Sequence, residues 1–134
     1  MSHILFSGRG LVGGIASGPA LPCQKPLSIS RINAYTGKLE DPDHDLNGAS
    51  LAGTVLLFPE GGGSSSGSYV LMNLSERGLA PAAMVVHKPD AVVTAGAYVS
   101  GIPLIGGVDL EDIKTVPAGC LLWVSGFSGR ISFR

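Results

Sequence analysis

The chain has 134 residues, 45% hydrophobic and 14% charged, and nine Lys and Arg against ten Asp and Glu leave a net charge of −1. That length predicts one domain over residues 1–134, and the apolar fraction rules out a disordered chain. The balanced charge excludes the basic stripe that holds nucleic acid or an anionic membrane, and so little charge predicts an exterior partly covered by a partner.

The two cysteines, Cys23 and Cys120, form no C-x-x-C pair. They are read as small buried apolar residues rather than as zinc ligands or a disulfide framework. No apolar run reaches the roughly 18 residues of a membrane span, and Met1-Ser2-His3 lacks the basic start of a secretory signal, so the cytoplasm is the expected compartment.

His3-Ile4-Leu5-Phe6 reads as a first strand. Gly8 to Gly13 spells G-x-G-x-x-G, but that fingerprint requires a helix to follow. Pro19 and Pro22 exclude one, so Ile15 to Pro22 reads as a turn leading into a second strand. Leu27-Ser28-Ile29-Ser30 alternates as a half-buried strand does, and Glu40 to Asp45 forms an acidic loop whose carboxylates suit solvated turns better than a metal.

Thr54 to Phe58 is an apolar strand. A helix is predicted over Ser66 to Arg77, ended by Gly78. Ala82 to Val86 is the next strand, Pro89 marks a helix start, and Ala91 to Val99 is a second helix closed by Ser100-Gly101. Ile102 to Ile105 then completes a β-α-β-α-β pattern of parallel strands with crossover helices. Leu121 to Val124 and Arg130 to Phe133 add two strands. The predicted class is α/β, with β-rich ends around an α/β middle, in a three-layer or barrel-like β/β/α arrangement.

Between the Thr54 strand and the first helix lies Gly61-Gly62-Gly63-Ser64-Ser65-Ser66-Gly67-Ser68. Glycines let the backbone lie close to a ligand, and the hydroxyls fall where the first N–H groups of a helix lack intrahelical partners. One of these serines is an N-cap, an anion-binding group, or a hydroxyl whose alkoxide the helix end stabilises. A linker would need a separate body on each side, and a P-loop would need a lysine in the run. Gly63-Ser64-Ser65-Ser66-Gly67 spells the G-x-S-x-G of serine hydrolases, but His87 is the only downstream histidine and the first acid after it, Asp90, is just three residues away, whereas a triad draws its histidine and acid from separate loops.

The wording Gly61 to Leu71 joins Gly78-Leu79-Ala80-Pro81-Ala82-Ala83, Gly18-Pro19-Ala20-Leu21, Thr36-Gly37, His44 and Gly101-Ile102-Pro103-Leu104. Together these resemble the small subunit of the aconitase-X type hydro-lyases, the phosphomevalonate dehydratase small-subunit family, over most of the chain. The resemblance implies a swivelling β/β/α domain that closes over a large subunit, the two forming a heterodimer that eliminates water from a small hydroxy acid. It implies an iron or iron–sulfur centre held by the large subunit, with no cofactor or metal in this chain. Substrates of the family are 5-phosphomevalonate and cis-3-hydroxy-L-proline, and the low charge here leans toward the second. In aconitases the matching turn is Gly-Ser-Ser-Arg-Glu and its first serine is the base, which maps onto Ser64. Gly62, Gly63, Ser65 and Ser66 would then hold anionic oxygens of the substrate. Ser66 stands where aconitases have the arginine of that turn, so Arg9 and Arg31 are the candidates for carboxylate binding. Ser30 to Ala34 also departs from the Gly-Gly-Val-Asp-Pro of relatives. A swivelling phosphohistidine carrier using His87, and a non-catalytic binding subunit, are the alternative readings.

Overall fold

The apolar run becomes a strand because both of its faces are buried. In a computed structural model that describes residues 4–62 and 66–134, this strand, Val55–Glu60, is the fourth in chain order. We number the others β1 (Ile4–Ser7), β2 (Arg9–Val12), β3 (Ile15–Pro22), β5 (Ala83–Lys88), β6 (Leu104–Gly106), β7 (Leu121–Ser125) and β8 (Arg130–Phe133), and the helices α1 (Gly67–Glu76), α2 (Ala91–Ser100) and α3 (Leu110–Thr115). Val55 and Leu57 of β4 enter one core with Val85, Ile105, Val124, Ile131 and Ile113. Leu56 and Phe58 enter another with Leu71, Leu74, Met84, Val93 and Ala97. Side chains alternate across a strand, so an uninterrupted apolar run suits a layer covered on both sides.

Among the described residues the strands follow the order β1-β8-β7-β3-β4-β5-β6-β2. The β3-β4-β5-β6 part is parallel, as the β-α-β-α-β pattern requires, and α1 and α2 cover one of its faces. The β1-β8-β7-β3 part is antiparallel and folds over the other face, with Ile113 of α3 sealing the space between. Only Gly8 separates β1 from β2, although the two lie at opposite ends of the strand order, so the sheet curls until its edges meet. A Cβ at Gly8 would stand 2.5 Å from the Gly106 carbonyl oxygen, which leaves room there for glycine alone. The result is the three-layer, barrel-like β/β/α architecture expected from the sequence.

The helix boundaries follow local chemistry. Gly78 ends α1 at φ +71° while Leu79 N–H donates to Leu74 O at 2.8 Å, and Gly101 ends α2 at φ +69°. Pro89 lies outside α2, whose N-cap is Asp90.

Three expectations are corrected. Ile15 to Pro22 is a strand despite its prolines, because β3 changes partner along its length: residues 15–19 pair with β7 and residues 20–22 with β4. Ala20 N–H donates to Cys120 O, so the nitrogen of Pro19 points to the side where pairing with β4 has not yet begun. Leu27 to Ser30 is not a strand. Arg31 N–H donates to Ser28 O and Ile32 N–H to Ile29 O, both at 3.0 Å, closing a 3-10 turn over Ile29–Arg31. Its alternation buries Leu27 and Ile29 beside α1 instead of on a sheet. Finally, β2 and α3 occupy stretches with no predicted element.

Candidate active site

Parallel strands β4 and β5 deliver their chains at the same edge of the sheet, and α1 and α2 begin there, so the positive ends of two helix dipoles converge. The turn from β4 to α1 is held at both ends. Leu27 pairs with Gly61, and Leu27 N–H donates to Glu60 O at 2.9 Å. A Cβ on Gly61 would lie 2.5 Å from Asp90 Oδ2, and one on Gly62 would lie 2.5 Å from Ser28 Cβ. At the far end, a Cβ on Gly67 would meet Val92 Cγ1 at 3.0 Å and Ile29 Cβ at 3.3 Å. These glycines are therefore dictated by close packing, since none of the three has a positive φ. Beside them lies a shallow recess of only about 10 Å3, lined by Ser28, Gly61, Gly62, Gly67, Asp90 and Val93, among others.

Of the predicted site residues, Gly62 lines this recess and Ser66 is the N-cap of α1. Gly63, Ser64 and Ser65 lie outside the described residues. Arg9 pairs with Gly106 at the carboxyl end of β6, and a Cβ on Gly106 would meet Pro89 Cγ at 2.9 Å, which sets Arg9 beside the β5–α2 connection carrying Asp90. Arg31 closes the 3-10 turn whose preceding residue, Ser28, abuts Gly62. The two exposed arginines thus belong to segments on opposite flanks of the glycine turn. The ion pairs among the described residues are Lys25–Asp45 and Lys114–Glu111, so neither Arg9 nor Arg31 is neutralised by a carboxylate there.

Asp90, Ser28 and Gly61 were missed as site residues. Asp90 caps α2 by accepting from Val93 N–H at 2.8 Å. An aspartate just before an apolar helical stretch signals such a cap, but nothing local signals that its second oxygen meets Gly61.

Several other ionisable groups have structural partners. Cys23 is buried, its thiol donates to Lys25 O at 2.9 Å, and its sulfur lies 3.2 Å from His44 Nε2. Leu46 N–H donates to His44 Nδ1 at 3.0 Å, so the ring proton sits on Nε2 and faces the sulfur. Burial pushes the Cys23 thiol up. Cys120, also raised by burial, lies next to β7. In the acidic loop, Asp41 Oδ1 accepts from Asp43 N–H at 3.3 Å. Among the described residues no three His, Cys, Asp or Glu side chains group as metal ligands. His87 sits near the end of β5, where its Nδ1 donates to Val108 O at 2.7 Å. That makes it a strand residue rather than one at a helix start.

A family model for the aconitase X swivel domain matches residues 5–133. The phosphomevalonate dehydratase small subunit of Pyrococcus furiosus is 38% identical over 127 residues, covering 94% of this chain and 92% of that protein. The small subunit of the same name from Methanothrix thermoacetophila is 47% identical over 105 residues, covering 76% of this chain and 77% of its own. The crystal structure of Thermococcus kodakaraensis aconitase X in its holo-form superposes with a TM-score of 0.90 at 36% identity, covering 96% of both chains. Sequence match, near-complete coverage and a shared three-layer plan lead to one conclusion: the chain belongs to the aconitase X swivel-domain family.

Proposed function

We propose that this chain is the small subunit of a cytoplasmic heterodimeric dehydratase that removes water from 5-phosphomevalonate, with Ser64 as the base. The observation that carries the substrate is the 38% to 47% identity to subunits named for phosphomevalonate dehydratase, one of them matched over nearly its whole length. This reading replaces the lean toward cis-3-hydroxy-L-proline, which rested on low charge and thermolabile side chains.

In the reaction, Ser64 takes the proton from the carbon next to the carboxylate, hydroxide leaves the neighbouring carbon, and a carbon–carbon double bond forms. A serine oxygen is a costly anion in water. The α1 N-terminus and the N–H groups of Gly62 to Ser66 lower that cost, and Ser65 and Ser66 hold substrate oxygens. Arg9 and Arg31 supply cationic anchors for the carboxylate and the phosphate.

The donor set of the described residues does not fit an iron centre, since Cys23 is already committed to His44 and Lys25 and no cluster of ligands surrounds it. An iron or iron–sulfur centre would serve as a Lewis acid for the leaving hydroxyl and would belong to the large subunit, and no step of this chain runs through it. Exposed Tyr69 and Tyr98 on the outer helix faces support a protein partner nearby.

The test is turnover by the co-expressed pair. The small subunit alone is expected to be inactive, and the complex is expected to dehydrate 5-phosphomevalonate and not cis-3-hydroxy-L-proline. Ser64→Ala should assemble normally and lose at least about a thousandfold in kcat, in line with removal of a positioned proton acceptor. Normal turnover by that variant would eliminate Ser64 as the base.

A further inference from the structure

We infer that Asp90 is a positioning residue, whose carboxylate caps α2 with one oxygen and sets the start of the β4–α1 turn with the other. The two halves of this role are separately visible. Oδ1 accepts from Val93 N–H at 2.8 Å, which fixes the side chain to the helix. Oδ2 lies where a Cβ on Gly61 would come within 2.5 Å, so Gly61 has no side chain because this oxygen occupies its place. Thr94 Oγ1 donates to Asp90 O at 2.8 Å and holds the backbone of the same residue.

The first turn of α2 also meets the far end of the β4–α1 turn, through Val92 against Gly67, while Ser28 and Ile29 meet both ends from the other flank. The described ends of the turn, Gly61 to Gly62 and Gly67, therefore lie between two walls, and Asp90 is the wall that closes on Gly61. A turn that must bring a base to a substrate carbon is sensitive to displacement well below 1 Å, so loosening this wall reduces the rate rather than the affinity.

The inference rests on the dehydratase reading for its kinetic readout only, and a second readout is independent of activity. Asp90→Ser keeps a capping hydroxyl but loses the atom against Gly61. In the co-expressed complex it should retain assembly and thermal midpoint while kcat falls at least about tenfold with KM within about twofold. Asp90→Asn, which restores an atom at that position, should recover most of the lost rate. Gly61→Ala should be slow alone, because its methyl meets Oδ2, and Gly61→Ala with Asp90→Ser should be no slower than the worse single variant. Wild-type kcat in Asp90→Ser, or losses that multiply in the double variant, would overturn the inference. If the wild-type complex turns over neither substrate, the functional reading has failed and the backbone amides of Gly61, Gly62 and Gly67 decide this one in the isolated subunit. Their resonances should shift in Asp90→Ser and return in Asp90→Asn, and unshifted resonances would refute the contact.

Discussion

Cys23 and His44 meet in a buried pair that joins the end of β3 to the acidic loop, and Lys25 and Asp45 repeat the connection outside it at 3.4 Å. Burial is the main cause that raises the Cys23 thiol, opposed by the backbone and the charge of Lys25 and aided by the Asp45 carboxylate, while burial also raises Cys120. A thiol raised in the folded state keeps its proton after the unfolded chain has lost its own. Its stabilising contribution is thus complete below about pH 9 and is lost as pH climbs through the folded value. Urea unfolding followed from about pH 8 to about pH 10 should show declining stability, with a shallower decline in Cys23→Ala. A disulfide-exchange reagent should leave Cys23 unmodified in the native protein and modify it in urea. Rapid native labelling of Cys23 would show that the pair with His44 is not closed.

At the scale of the element, β4 explains most of what holds the fold. Leu57 is fully buried between the two parts of the sheet, and Leu56 is fully buried beneath the helices. Leu57→Ala should cost about 2 to 5 kcal/mol, measured as a shift in the urea midpoint at constant slope, because the space it leaves is walled by strands on both sides. Such elements were legible in the sequence. The apolar run was read as a strand, and Gly78 and Gly101 stand where the helices stop. Elsewhere the local pattern misled. Leu27 and Ile29 show the spacing of a strand, yet that spacing also serves a tight turn that tucks both side chains under α1. The prolines of β3 are tolerated through a change of pairing partner, which no local window contains. Six-residue α3 buries little beyond Ile113, too short a segment for a helical period to emerge. The glycine and serine run was legible as the connection between β4 and α1, whereas Ser28 and Asp90 reach its described ends only through tertiary contact.

For the whole molecule, closure of the sheet at Gly8 places one of the two proposed substrate anchors. It carries the chain from β1 to β2 in one residue and so sets Arg9 at the carboxyl edge of β6, beside the helix starts. Arg31 comes to the other flank of the turn through the long excursion between β3 and β4. Two cations brought from separate parts of the chain, neither neutralised by a carboxylate among the described residues, suit a substrate with an anionic group at each end. If they grip both ends equally in the ground state and in the transition state, removing either should weaken binding and spare the chemical step. Arg9→Gln and Arg31→Gln are each expected to raise KM about 10- to 100-fold with kcat within a few-fold, corresponding to a charge-assisted hydrogen bond of about 1.5 to 3 kcal/mol. The anchors can then be told apart with a substrate analogue lacking the phosphate: the arginine that binds phosphate should lose its effect on KM, and the one that binds carboxylate should keep it. An unchanged KM for either variant with the full substrate would remove that arginine from the site.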